Sequence, residues 1–241
     1  MNKTVLIKFS GESMSGHIGR GLDFDYINKI CLRIKKIHNM GIRVGIVCGG
    51  GNFLRGRDTS EMERETADYV GMLATVMNSL VLKDVFIKLG MDVYNQSSLE
   101  VEIIDKVDSS KAIKALDDGK IVIFGGGTGK PFFSTDTGAA LRAKDIKAEM
   151  IIKLTNVDGV YDKDPNKYKD AKKYDIVTYD EVLEKELGVM DLSAIEICRD
   201  NDIQIIVTDI DDENGLIKII NNEDGTINLK YSGMQKIKNS I

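Results

Sequence analysis

The sequence predicts an α/β fold in which a mostly parallel sheet is covered by helices on both faces. Three observations predict it. Short apolar runs recur along the chain and end in glycine-bearing turns: Val5-Leu6-Ile7 before Lys8-Phe9-Ser10-Gly11, Val44 to Cys48 before Gly49-Gly50-Gly51-Asn52, and Ile121 to Phe124 before Gly125-Gly126-Gly127-Thr128-Gly129. Stretches of helical periodicity lie between such runs, and strands that alternate with helices pair in parallel beneath helices on both faces. The two prolines, Pro131 and Pro165, both fall in inferred loops, and no repeat or linker divides residues 1–241, which read as a single domain.

The elements follow in order. A strand over about 3–9 precedes a helix from Asp25 to Met40, in which Ile27, Ile30, Cys31, Ile34 and Ile37 form one apolar stripe. Gly41 ends that helix as a left-handed cap would. A strand at about 42–48 leads to a long helix from about Glu61 to Leu89. Strands follow near 91–95, 120–124, 149–154 and 204–208, with helices near 109–118, 135–146, 179–187 and 193–201. Ser193 and Glu196 match a capping box for the last helix. In the long helix Tyr69, Val70, Met72, Leu73, Val76, Met77, Leu80 and Val81 cover more than one face, which fits either a central core helix or a subunit interface. Asp158-Gly159 between apolar residues is a hairpin signal that places Tyr161 and Asp164 just beyond a turn, close to the strand of Lys153 and Thr155.

Bulk properties narrow the function. Of 241 residues 42% are apolar and 29% charged, an ordinary globular balance. A net charge of −5 disfavours a general nucleic-acid binder. Cys31, Cys48 and Cys198 have no metal or redox spacing and read as reduced core residues, which points to the cytoplasm. No apolar run approaches the length of a membrane span, and the N-terminal Val-Leu-Ile, broken by Lys8, reads as a strand and not a signal peptide.

Chemistry concentrates at the three turns. Backbone N–H groups at glycine-rich turns and helix N-termini bind phosphate without any particular side chain. Phosphoryl transfer then needs in-line positioning and positive charge on the migrating group, which Lys8 and Lys153, at two strand ends, can supply. Asp136 follows the loop Ser134-Thr135; it is either a helix N-cap or the carboxylate that orients both lysines. Other chemistries fail. His17 and His38 lack metal-ligand spacing, no Gly-x-Ser-x-Gly elbow occurs, and Gly125 to Lys130 lacks the spacing of a phosphate-binding P-loop.

The chain resembles, nearly end to end, the bacterial uridylate (UMP) kinases of the amino-acid kinase superfamily. The motifs are Lys8-Phe9-Ser10-Gly11-Glu12, Gly49 to Gly56, Asp68 to Asn78, Gly127 to Asp136, and Val157-Asp158-Gly159-Val160-Tyr161 with Asp164-Pro165. The helix Gly71-Met72-Leu73-Ala74-Thr75-Val76-Met77-Asn78 and the loop Thr128-Gly129-Lys130-Pro131-Phe132-Phe133 are specific to the UMP kinase branch. The resemblance implies a three-layer α/β/α sandwich of the carbamate kinase-like fold and transfer of the γ-phosphoryl group of ATP, with Mg2+, to UMP. It implies catalysis by Lys8, Asp136 and Lys153. ATP would be held by Lys8, Ser10, Gly11, Gly51, Arg55, Thr155, Asn156, Tyr161 and Asp164. UMP would be held by Gly50, Asp68, Thr128, Gly129, Lys130, Pro131, Phe132, Phe133, Ser134 and Thr135, with Asp68 accepting hydrogen bonds from the ribose. A homohexamer and inhibition by UTP are implied as well. Lys130 stands where the family usually has asparagine, and Arg20 replaces an aromatic in a segment linked to GTP activation. A non-catalytic nucleotide-binding relative on the same fold is the alternative.

Overall fold

The computed structural model describes residues 3–54, 61–221 and 228–230. In chain order the elements are β1 (Thr4–Phe9), a short α1 (Glu12–Ser15) running into a 3-10 turn (Gly16–Ile18), α2 (Phe24–Asn39), β2 (Arg43–Cys48), α3 (Arg64–Lys88), β3 (Val93–Ser97), β4 (Asp105–Lys106), α4 (Ser109–Asp117), β5 (Ile121–Gly125), α5 (Thr135–Asp145), β6 (Met150–Thr155), β7 (Ile176–Thr178), α6 (Tyr179–Glu184), α7 (Leu192–Asp200), β8 (Gln204–Asp209), α8 (Gly215–Asn221) and β9 (Asn228–Lys230). They form one sheet in the order β4-β3-β5-β2-β1-β6-β8-β9-β7. From β4 to β8 every pairing is parallel; β9 then lies antiparallel to β8 and parallel to β7.

Two apolar layers sandwich the sheet. Side chains of a strand alternate between its faces, and β1 shows what that does. Val5, Ile7 and Phe9 enter the layer beneath α2, α3 and α8, while Leu6 enters the layer shared with α4, α5 and α7. In β6, Met150, Ile152 and Leu154 join the first layer and Ile151 the second. Lys8 has the parity of Leu6, and Lys153 that of Ile151. Both lysines therefore rise from the face that α5 covers.

The sequence-based boundaries hold to within a few residues for every strand and helix they named. Asp23 caps α2 by accepting the Tyr26 N–H at 3.0 Å, and Gly41 follows it with φ 87°. The three cysteines are buried and unpaired, and burial pushes the thiols of Cys31 and Cys198 up to about 12.

Three expectations are corrected, and one pair of alternatives is resolved. Ser193 lies inside α7, whose cap is Asp191; the intervening Leu192 is already helical, and Asp191 accepts the Ala194 N–H at 3.0 Å. Asp136 is not the cap of α5, because Ser134 takes that place and Asp136 occupies the first turn. Asp158-Gly159 forms no strand hairpin: the segment bends away from β6, and Tyr161 meets Lys173 in an isolated antiparallel bridge. Finally, α3 is long and apolar enough by composition to cross a membrane, although half of that stretch is buried in the fold. Its Ala74, Val76, Leu82 and Phe86 pack inward, while Tyr69, Leu73 and Met77 are exposed.

Candidate active site

The strands β1, β2, β5 and β6 all point their C-terminal ends at one edge of the sheet, where open α/β folds bind ligands. Lys8 and Lys153 are register partners there on adjacent strands. Like charges directly opposite repel, and a third group resolves the conflict. Asp136 Oδ1 lies 2.5 Å from Lys8 Nζ, and Asp136 Oδ2 accepts a hydrogen bond from Lys153 Nζ at 3.2 Å. All three side chains are largely buried. Burial alone would raise the Asp136 carboxyl, but the adjacent ammonium groups of Lys8 and then Lys153 outweigh it and hold the carboxyl below its ordinary value. Burial pulls Lys153 below the ordinary lysine value, with Lys8 adding to that shift and Asp136 opposing it. The array carries one net positive charge and keeps it where water is scarce.

Helix α5 places Asp136 through its own N-terminus. The Ser134 hydroxyl accepts the N–H of Asp136 at 2.9 Å. Asp191, which sequence reasoning passed over, anchors this cap. It accepts from the hydroxyls of Ser134 and Thr137, the latter at 2.9 Å, so the starts of α5 and α7 are fastened together. The same segment supplies the Val189 carbonyl, which accepts a hydrogen bond from Lys153 Nζ. An aspartate before Leu192-Ser193 was a visible cap signal, but the Ser193–Glu196 spacing competed with it.

The glycine turns close around this array. A Cβ on Gly11 would come within 2.3 Å of Gly51 N and 2.7 Å of Gly49 O. The turns after β1 and β2 are thus in backbone contact, just beyond the strand end that carries Lys8. Ser10 bonds to Ser13 through its hydroxyl at 3.1 Å.

Two cavities flank the array. The first, about 350 Å³, is lined by Gly50, Gly51, Asp68, Phe133, Ser134 and Thr135, among others. The second, about 470 Å³, is lined by Lys153, Thr155, Asn156, Tyr161 and Asp164 with the 186–189 segment. Five of the ten residues expected to hold UMP thus line the first cavity, and Thr155, Asn156, Tyr161 and Asp164 of the ATP set line the second, with Gly51 on the side of Gly50. Thr128, Lys130 and Phe133 line a third cavity, about 560 Å³, against α5 and α7, while Gly129, Pro131 and Phe132 line none of the three. Arg55 lies outside the described residues. Asp68 receives Arg64 Nε at 3.0 Å on each oxygen and the Phe132 N–H at 2.8 Å on Oδ2. It therefore ties the 128–133 loop, whose Phe132 has φ 70°, to α3. Among the described residues no group of three or more His, Cys, Asp or Glu could hold a metal ion.

The model of the amino acid kinase family matches residues 3–209. The UMP kinase of Ureaplasma parvum shares 32% sequence identity and superposes with a TM-score of 0.89, covering 95% of this chain and 99% of its own. The UMP kinase of Bacillus anthracis shares 32% identity with a TM-score of 0.90, covering 96% of this chain and 97% of its own.

Proposed function

The chain belongs to the amino acid kinase family, and we propose that it is a UMP kinase, a phosphotransferase that moves the γ-phosphoryl group of ATP to UMP and yields UDP and ADP. The observation that carries this reading is the Lys8–Asp136–Lys153 array standing between two cavities of nucleotide-compatible chemistry. Similarity over nearly the full length to two UMP kinases supports the choice of acceptor.

The geometry supports a simple mechanism. The acceptor phosphate enters the first cavity against the Gly50–Gly51 turn, with Asp68 available to ribose hydroxyls. ATP enters the second with its adenosine beside Thr155, Asn156, Tyr161 and Asp164, and its phosphates reach the Ser10-Gly11 turn. A phosphate monoester is largely dianionic at neutral pH, its second pKa being about 6, so an acceptor oxygen needs no base to deprotonate it. Asp136 accordingly works through the lysines, keeping two like charges adjacent and aimed at the migrating group. As one bond from the γ-phosphorus forms to the acceptor oxygen, the bond to the β–γ bridging oxygen breaks. Lys8 and Lys153 stabilise the charge on the equatorial and leaving oxygens. Magnesium arrives on the triphosphate as part of the substrate and supplies further charge neutralisation there.

The finer assignments are part of the same proposal. One catalytic domain acts in pyrimidine nucleotide synthesis in the cytoplasm, a compartment that suits three buried, unpaired thiols. It assembles as a homohexamer, for which exposed Tyr69, Leu73 and Met77 on α3 offer apolar surface. Inhibition by UTP rests on the family resemblance. A coupled assay offering UMP, CMP, aspartate, glutamate and carbamate as acceptors tests the reading. ADP release that depends on UMP is expected, and equal or better use of any carboxylate or carbamate overturns it.

A further inference from the structure

Helix α3 carries a polar strip where a core helix needs none. Thr75, Asn78 and Ser79 are buried, and neither threonine nor asparagine favours a helix interior. Buried polar groups persist where they are satisfied, and the partners here are the two glycine turns that border the first cavity. Asn78 Nδ2 donates to Gly49 O at 2.8 Å and to Asn52 Oδ1 at 2.8 Å, while Asn78 Oδ1 accepts from Asn52 Nδ2 at 3.0 Å. Asn52 also donates to Gly21 O at 2.9 Å. One helical turn earlier the Thr75 hydroxyl donates to Met72 O at 2.7 Å and accepts the Gly126 N–H at 2.8 Å, so both its functions are used. The contact is as close as backbone allows. A Cβ on Gly50 would meet Gly71 O at 2.4 Å, and one on Gly125 would meet Val76 Cα at 3.1 Å.

From this we propose that Thr75 and Asn78 are positioning residues, which set the two glycine turns at a fixed separation and thereby hold the acceptor phosphate in line with the donor. The proposal rests on the UMP kinase reading for the identity of the acceptor. Asp68 and Arg64, on the same helix, line the same cavity. The helix therefore registers the ribose-facing and phosphate-facing walls against each other. Asn78 reaches further than Thr75, because the turn it holds also touches Ser10-Gly11 on the donor side.

The test compares Thr75→Val, nearly the same shape without the hydroxyl, with Thr75→Ser, which restores it. Thr75→Val is expected to raise the KM for UMP about tenfold, the order of effect of one buried donor left unpaired, while the KM for ATP stays within about twofold. Thr75→Ser should return the UMP value to within about twofold of wild type. Asn78→Leu should raise both KM values. Should Asn78→Leu fail to fold, the Thr75 pair alone decides. A lowered melting temperature with both KM values unchanged in Thr75→Val would overturn the proposal, since a residue that only fills the core moves stability alone. Amide exchange of the peptide bearing Gly126 gives a readout independent of activity: it should speed up in Thr75→Val and not in Thr75→Ser, and equal exchange in the two overturns the claim. If wild-type protein does not use UMP, the functional reading fails, while the exchange comparison still tests the positioning role.

Discussion

Asp136→Asn bears most directly on the mechanism, because it keeps the shape of the side chain and removes its charge. One carboxylate oxygen lies 2.5 Å from Lys8 Nζ and the other 3.2 Å from Lys153 Nζ, so a single neutralisation cancels both attractions. Those two contacts put the ammonium groups no more than about 8 Å apart, so they then repel by at least about 2 kcal/mol at the effective dielectric of a protein site. Removing one partner from a buried ion pair costs about 3–5 kcal/mol by comparison with measured cases, the same order. At about 2–4 °C per kcal/mol for a chain of this size, the melting temperature should drop by roughly 6–20 °C. The strain is relieved by proton loss. Lys153 is the group to give way, since burial and Lys8 already hold it below the ordinary lysine value and Asp136 was the main force opposing them. Turnover at neutral pH should therefore fall by about 10²- to 10³-fold, and the alkaline limb of kcat should move to lower pH than in the wild type. A coupled assay of ADP release across pH 6 to 10, with saturating UMP and MgATP, reads both effects. Turnover within about threefold of wild type, with an unmoved alkaline limb, would refute the claim that Asp136 acts by holding the lysines charged and adjacent.

Three further outcomes follow from the same geometry. Lys8→Ala should lower turnover by orders of magnitude yet leave the fold nearly intact, because Asp136 keeps Lys153 as partner; retention of more than about a third of wild-type turnover, a cost under about 1 kcal/mol, would contradict the role of Lys8. The folded-state pKa of Asp136 is lowered, so its contribution is fully present above the unfolded carboxyl value of about 3.9 and disappears as pH falls through the lowered folded value. The difference in urea midpoint between wild type and Asp136→Asn should thus not shrink between pH 7 and about 4 and should narrow below, and a gap that persists to the lowest pH at which both fold argues against the assignment. A pocket whose buried groups match uracil leaves partners unpaired against cytosine, so kcat/KM should favour UMP over CMP at least about a hundredfold, or roughly 2.7 kcal/mol; comparable values would show that the base is not read this way.

Much of this was legible because strand parity and glycine turns are local properties. Lys8 follows Leu6 by two residues, and Lys153 follows Ile151 by two, so the apolar run that defines each strand also fixes the face from which its lysine emerges. The placement of Tyr161 and Asp164 near Thr155 was reached by way of a hairpin that does not exist: a bend after β6, completed by the Tyr161–Lys173 bridge, brings the chain back to the same place. Asp191 was legible as a cap signal but not as a support of the site. Its partners Ser134 and Thr137 stand more than fifty residues away in sequence, and only the packing of α5 beside α7 brings a helix cap and an active-site support into one carboxylate. The short elements α1, α8, β4, β7 and β9 escaped for a different reason. Segments of two to seven residues carry too few periodic positions to declare a type, and tertiary contact decides them.

The charge balance also explains why the site is built from backbone as much as from side chains. The chain as a whole carries −5, yet its proposed substrates are two polyanions, and the array between the cavities offers one net positive charge. That charge cannot neutralise two nucleotides by itself. The remainder has to come from groups whose positive ends are fixed by the fold: the N–H groups of the turns after β1, β2 and β5, the N-terminus of α5, and the metal that accompanies the triphosphate. Such dipoles act at contact range and lend nothing to the long-range field. On the proposed reading phosphate is bound where the glycine turns meet, while a net charge of −5 gives the chain no general attraction for nucleic acid. The cost is geometric, because a backbone N–H cannot reorient as a lysine can. Turns that bind in this way must be held rigidly, and that is the physical requirement which the buried Thr75 and Asn78 on α3 meet.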